Sequence, residues 1–397
     1  MATIMSTESG SGGAAGAAFD LALTETQTLV QRTARDFARE KLLPIAADID
    51  EQGRIPAAIL TELASLGFMG VYVPDELGGA GADVVSYILA SEEINRACAS
   101  TGVVMSAHNS LVCDPLLGHG TPAQQQRWLA PLARGLKLGC FAMSEPSAGS
   151  DAAGMQTTAV RDGSGWVVNG TKNFITNGAS AGTVLVFAQT EPGSRYKGIT
   201  AFIVDKPTKG LAVGKIERKL GIKGSDTAQL MFENVRIGDE QRLGEVGEGF
   251  KIALGALDGG RIGIAAQAVG IARACLEDAL AYAKDRQAFG KPIAEHQAIQ
   301  WMLADMATEI DAARLLTWRA ATLKDRGEPF TAEAAMAKLF ASDTAMKAAR
   351  SCVQIFGGYG YMKDYPAERH YRDAKITEIY EGTSEIMKIV IAEDMLR

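Results

Sequence analysis

Histidine and cysteine are scarce in this 397-residue chain, with four of one and five of the other. The histidines, His108, His119, His296 and His370, are scattered. The cysteines, Cys98, Cys113, Cys140, Cys275 and Cys352, are odd in number and never in C-x-x-C spacing. That pattern offers neither a zinc site nor a disulfide framework, and it suits buried thiols in a reducing compartment. No G-x-S-x-G nucleophile elbow is expected, so a Ser-His-Asp hydrolase is set aside. Charge of one sign is also scarce. The net charge is −7, with no basic block or basic-aromatic stripe for nucleic acid. No uninterrupted apolar run is long enough for insertion across a membrane. The first eighteen residues are rich in Gly, Ala and Ser, contain no arginine, and lack a basic stretch followed by an apolar core. A flexible tail over 1–18 is expected, and a bacterial cytoplasm in preference to a mitochondrial matrix.

The remainder divides into three. From 19 to 135 the pattern is helical. Thr24 and Gln27 have the T-x-x-Q spacing of a capping box, Pro44 interrupts the helix that follows, and another helix is expected from about Val84. Thr121 and Pro122 read as an N-cap and a first helical residue. From 136 to 246, short β-rich runs such as "GTVLVFAQT" and "GITAFIVDK" alternate with turn residues. Asp162-Gly163 and Asn169-Gly170 read there as hairpin dipeptides. From 247 to 397 long helices return. Leu303, Met306, Ile310 and Ala313 share one helical face, and the alanine-rich run from Thr331 ends at a glycine pair, a natural C-cap. The fold class is α+β: an N-terminal α-helical domain, a middle antiparallel β domain and a C-terminal four-helix bundle. A chain of this length suits two or three domains.

Two stretches carry residues suited to chemistry. "CFAMSEPSAGSD" (140–151) falls where helices give way to strands. Its small residues and hydroxyls let main-chain N–H groups approach a ligand closely, although a polar interdomain linker explains it locally as well. "IYEGTSEIMK" (379–388) holds Glu381 and Glu385 around a Gly-Thr-Ser turn. Locally each carboxylate reads as a complement to the free N–H groups of a helix start. "GGYG" (357–360) follows a helix and lacks the G-x-G-x-x-G pattern, so a Rossmann reading is rejected.

These two stretches, with "NGTKNFITNG", "RQAFGKPIAEHQ" and "QIFGGYGYMKDYPAERHYRDAKI", resemble the acyl-CoA dehydrogenase family in order and spacing over nearly the whole chain. The likeness is greatest to the short-chain (butyryl-CoA) branch. The resemblance implies a homotetramer, a dimer of dimers, with non-covalent FAD. It implies an acyl-CoA substrate losing an α-proton and a β-hydride, and an electron-transferring flavoprotein as electron acceptor. An α-proton beside a thioester is weakly acidic and needs a base in a dry pocket, where desolvation raises a carboxylate's basicity. The hydride needs an electron acceptor that no side chain offers.

By this resemblance Glu381 is the base. Its N–H helps to hold the thioester oxygen, and Gly382 lies close beside the ligand. Phe141, Ala142, Met143, Ser144 and Ser150 wrap one side of the flavin, and Phe174, Ile175 and Thr176 cover the other. Many relatives have Trp where Phe174 stands. Ser150 also touches CoA, as do Asp258 and Arg261 of "LDGGR", a stretch expected to open a helix. Arg286, Gln287, Ala288, His296 and Gln297 contact the cofactor, as do Gln354, Ile355, Phe356, Gly357 and Gly358. Several of these contacts come from a neighbouring subunit. Thr383, Ser384 and Glu385 lie on the adenosine side. In the isovaleryl-type and long-chain branches the base comes from the position of Gly260, where glycine cannot serve. A branched or medium-chain substrate, and a non-catalytic scaffold, stand as alternatives.

Overall fold

The computed structural model describes residues 22–396. The expected tail, 1–18, lies outside them. Thr24 and Gln27 close a capping box on the Glu25–Phe37 helix. The chain continues through a π-helical turn, Ala38–Leu42, into a short turn, Leu43–Ile45, that contains Pro44. Proline has no N–H to continue the ladder, so the helix breaks where expected. Asp83 accepts the Ser86 N–H and starts the Val84–Ala97 helix. Thr121 and Gln124 form a second capping box, with Pro122 in the first turn.

The middle of the chain is one sheet of eight strands. They are β1 (Gly139–Ala142), β2 (Thr158–Asp162), β3 (Gly165–Thr176), β4 (Thr183–Gln189), β5 (Ile199–Asp205), β6 (Leu211–Ile216), β7 (Thr227–Gly238) and β8 (Arg242–Leu243). Their order is β6-β7-β3-β2-β4-β5-β8, with β1 beside β4. Pairing is antiparallel except where β1 and β2 meet β4. β4 is buried along its whole length. Leu185 and Phe187 face the N-terminal helices, while Val184 and Val186 face the opposite core. Cover on both faces is why this strand reads as a continuous apolar run.

Asp162-Gly163 closes the β2–β3 hairpin, with φ +60° at Gly163. Asn169-Gly170 does not turn. It lies inside β3 at an irregularity in the pairing with β7. The glycine serves a close approach there, since a Cβ on Gly170 would lie 2.3 Å from Thr157 Oγ1. Contrary to the sequence expectation, residues 178–182 do have G-x-S-x-G spacing, but they join strand to strand and form no nucleophile elbow. Ser180 is exposed and donates to Asp226 Oδ2 at 2.6 Å.

The C-terminal bundle consists of four helices, Gly249–Asp285, Gln297–Asp325, Thr331–Phe356 and Ser384–Met395, with a short one at Ala367–Ala374. Met306, Ile310 and Ala313 are buried, with Leu303 packed against them. Gly357, at φ +60°, ends the third long helix. "LDGGR" does not open a helix. It lies well inside one of 37 residues that begins at Gly249. Asp258 and Arg261 are therefore on a helix flank, away from the N–H groups of its first turn. This long helix packs with the N-terminal helices in one core and reaches the sheet at Ile252 and Ala253. Its middle turns back the candidate site.

Candidate active site

Three segments meet at Glu381. The chain leaves the short turn Lys375–Glu378, bends at Glu381 and Gly382, and enters the Ser384–Met395 helix. Thr383 caps that helix by accepting the Ile386 N–H. Both bend residues are left-handed, with φ +55° at Glu381 and +102° at Gly382. A glutamate seldom adopts this conformation, which costs roughly 1–3 kcal/mol and persists only where neighbours hold it. The bend brings the carboxylate against the Gly249–Asp285 helix at Gly260. A Cβ there would lie 2.0 Å from Glu381 Oε2 and 2.8 Å from Leu111 Cδ2. Leu111 belongs to a π-helical turn, His108–Cys113, a feature frequent at functional sites.

Glu381 Oε2 is buried and has no hydrogen-bond partner among the described residues. Desolvation raises the Glu381 pKa to about 7, against the opposing pull of the Lys338 and Arg261 cations. Glu385 is exposed, and its own N–H and the Thr383 hydroxyl hold its pKa low. The two glutamates of one short segment thus sit in opposite environments. Tyr380 donates to Gln267 Oε1, and Gln267 Nε2 donates to the Ala99 carbonyl at 3.3 Å. One turn along from Gly260, Gly263 packs on the Tyr87 and Ser106 hydroxyls, which bond each other at 2.8 Å. Asp258 and Arg261 pair with each other, and Asp258 also accepts the Thr331 hydroxyl at 2.7 Å. Arg261 is buried, and its Nε has no partner among the described residues.

β1 carries Phe141 and Ala142 to the start of the serine-rich loop. Phe141 is half-buried, with its ring 4.8 Å from that of Phe187. Ala142 and Met143 are core residues, so only their main chain is available to a ligand. The Ser144 carbonyl accepts the Asn173 N–H at 2.8 Å, which ties this loop to the end of β3. There Phe174 adopts φ +58° and leaves its ring 63% exposed. Ile175 is buried, Thr176 half-buried and Ser150 exposed. Beneath the loop a buried ion pair joins Lys172 Nζ to Glu145 Oε1 at 2.8 Å. Lys172 also donates to the Met143 carbonyl at 3.0 Å, and Glu145 accepts the N–H groups of Gln156 and Thr157. His108 anchors β1 from behind. Its Nδ1 accepts the Gly139 N–H at 3.0 Å, so Nε2 is the donor to the Leu132 carbonyl. Burial lowers its pKa to about 4, which keeps it neutral.

The other expected cofactor residues lie elsewhere. Gln287–Ala288 pairs with Lys291–Pro292, and Phe289 at the tip of this hairpin is 97% exposed. His296 Nε2 bonds the Ala288 carbonyl at 3.2 Å, and Gln297 begins the next helix. Arg286 caps the Gly249–Asp285 helix and is exposed. It shares a cleft of about 520 Å³ with Ile355, Phe356, Gly357 and Gly358, while Gln354 is exposed on the preceding turn. Neither Glu381 nor the segments 141–150 and 174–176 line that cleft. One chain therefore holds the expected cofactor residues in two separate places.

Models of the acyl-CoA dehydrogenase N-terminal, middle and C-terminal domains match residues 24–136, 140–235 and 247–396 in that order. The chain belongs to the acyl-CoA dehydrogenase family. It is similar to the mitochondrial short-chain specific acyl-CoA dehydrogenase of Bos taurus, at 56% identity over 94% of this chain and 91% of that protein. It also resembles the solved butyryl-CoA dehydrogenase of Megasphaera elsdenii, at 47% identity and a TM-score of 0.94, covering 95% of this chain and all of that one. A chain from a structure of the electron transferring flavoprotein of Acidaminococcus fermentans, a study of flavin-based electron bifurcation, matches with a TM-score of 0.94 at 49% identity. It covers 95% of this chain and 100% of that one.

The acyl-CoA dehydrogenase fold here fits FAD, the family's cofactor. A strained, exposed aromatic ring at Phe174 stands beside a loop with accessible main chain. Next to it, Asn173 Oδ1 is buried without a partner among the described residues. Such a surface suits a planar ring with polar edges. Sequence patterns passed over Lys172, Glu145 and Lys338. Lys338 carried a signal: it falls on the alanine stripe of its helix, four residues after Ala334 and three before Ala341, where a cation is out of place.

Proposed function

We propose that the protein is an FAD-dependent short-chain acyl-CoA dehydrogenase. It converts a saturated, butyryl-like acyl-CoA to the trans-2-enoyl-CoA and passes electrons to electron-transferring flavoprotein. The observation that carries this reading is the Glu381 carboxylate, with one buried, unpartnered oxygen beside the gap left by Gly260. The Glu381 N–H has no protein acceptor among the described residues, so it is free to hold the thioester oxygen. That bond polarises the carbonyl and acidifies the α-carbon. Glu381 then takes the α-proton, and the electron pair left on carbon becomes the new double bond as the β-hydrogen departs with its own pair. Bound FAD supplies the two-electron acceptor for that hydride. Tyr380, Tyr87 and Leu111 wall the carboxylate off from water. Phe174 and the 141–144 main chain hold the flavin ring, and the Asp258–Arg261 pair faces the polar part of CoA.

A short acyl chain is supported by the bonded Tyr87 and Ser106 hydroxyls one turn beyond Gly260. Across a series from butyryl- to octanoyl-CoA, kcat/KM is expected to peak at butyryl. It should then fall by up to roughly 10–200-fold for each misfitting methylene, about 1–3 kcal/mol in the activation barrier. A flat profile would contradict this. With butyryl-CoA, the rate of anaerobic flavin reduction should rise with pH through about 7 and level off above it, because only the ionised Glu381 accepts a proton. A rate that falls over the same range excludes this base. Gly260→Ala should displace the carboxylate, since the added Cβ occupies its position. A misplacement of about 1 Å predicts a loss of about 10²-fold in kcat/KM, with FAD content unchanged.

The split cofactor residues support a homotetramer. In this reading the Arg286 cleft of one subunit, lined also by Tyr359 and Met362, completes the FAD site of its neighbour. The Arg286 guanidinium fork suits the cofactor diphosphate. Arg286→Ala is expected to lower FAD occupancy without unfolding the chain, as measured by the flavin-to-protein absorbance ratio. Five buried, unpaired cysteines suit a reducing cytoplasm.

A further inference from the structure

Lys338 has no exposed surface and lies among alanines of the Thr331–Phe356 helix. An unpaired ammonium in such surroundings is strongly disfavoured. Its hydrogen bond goes to the Gly382 carbonyl, at 2.6 Å, and not to a carboxylate. Gly382 follows Glu381 directly, and both peptides are held in the left-handed region. The charged groups around Lys338 are Glu381, Arg261, Glu378 and Glu385. Around Glu381 itself stand Lys338 and Arg261, with the neutral Tyr72, Tyr87 and Tyr380 hydroxyls. Asp258 faces away toward Arg261 and Thr331.

We propose that Lys338 is a positioning residue for the proton transfer: its ammonium clamps the Gly382 carbonyl, fixes the strained Glu381–Gly382 bend, and favours the ionised Glu381 carboxylate. The lysine touches neither substrate nor cofactor in this scheme. Its buried position is explained by the carbonyl it holds and the base it serves. The proposal rests on reading Glu381 as the base.

The test uses the FAD-loaded protein with three variants, Lys338→Met, Lys338→Gln and Glu381→Gln, and the double variant Lys338→Met with Glu381→Gln. Flavin reduction by butyryl-CoA is followed anaerobically against pH. The Glu381 carboxyl is titrated by infrared spectroscopy, its band identified by loss in Glu381→Gln. Removing the cation takes away a charge that favours ionisation, so in Lys338→Met the Glu381 midpoint should move up by about one pH unit. The rate at pH 7 should then fall about fivefold or more. FAD content should not change. Lys338→Gln retains a donor for the Gly382 carbonyl but no charge. It should show the shifted midpoint with a smaller loss of the plateau rate, and it carries the test if the methionine variant does not fold. The double variant should be no slower than Glu381→Gln alone, because the lysine acts through that glutamate. An unchanged midpoint and rate in both lysine variants overturns the proposal, as does a loss that multiplies that of Glu381→Gln. If Glu381→Gln itself keeps full activity, the base assignment fails instead, and the two failures are distinguishable.

Discussion

Glu381→Gln is expected to slow flavin reduction by about 10²–10⁴-fold, the range supplied by a positioned general base, while FAD stays bound. The glutamine preserves the shape of the side chain and leaves the main-chain N–H in place, so substrate should still bind. A second consequence follows from burial. The Glu381 pKa is raised from 4.5 to about 7 in the folded chain. Between those values the unfolded chain has lost a proton that the native one retains, so stability falls as pH rises through this window and stays lower above it. Glutamine does not ionise. The variant should therefore gain thermal stability relative to the wild type on going from pH 5 to pH 8 while losing turnover. A structural glutamate would give the reverse, with stability and activity lost together. Thermal melts at the two pH values, beside the rate measurement, check both.

Lys172→Met is expected to cost about 3–5 kcal/mol of stability, because it leaves the buried Glu145 carboxylate without its cation. The pair does more than fill space. Lys172 also donates to the Met143 carbonyl, and Glu145 takes two further main-chain N–H groups. Together they tie β3 to the serine-rich loop that we propose faces the flavin. Release of FAD at a lower temperature should accompany the lower thermal midpoint. Glu145→Gln added to Lys172→Met removes the stranded charge and keeps an acceptor for the Thr157 N–H. The double variant should therefore recover part of the loss. A single variant with an unchanged midpoint would show that the pair is dispensable.

Features written in short-range chemistry were legible in the sequence. The capping box at Thr24, the N-cap at Thr121, the break at Pro44 and the glycine end at Gly357 each depend on a few neighbouring residues, and all four are found as expected. The stripe through Met306, Ile310 and Ala313 follows from helical period alone. Features set by partners distant in sequence were not legible. Asn169-Gly170 has a turn dipeptide's composition, but Thr157 and the pairing with β7 make it a bulge. "LDGGR" looks like a helix opening because glycine is a poor helix former, yet burial against the N-terminal helices carries the helix through it. For Glu381, local pattern favoured a helix-start carboxylate, and only likeness to a family singled it out. Its burial, its left-handed backbone and its gap at Gly260 come from segments more than a hundred residues apart, which no window of sequence displays. Lys338 and Lys172 were missed for the same reason. A lysine's burial is decided by what folds over it.

The central claim is that Glu381 takes the α-proton of a short acyl-CoA. The most direct measurement mixes butyryl-CoA anaerobically with wild-type and Glu381→Gln protein, both loaded with FAD, and follows the visible flavin absorbance. The wild type should bleach within a turnover, and the variant should bind the ligand yet keep its colour on that timescale. Bleaching of the variant at the wild-type rate would contradict the account.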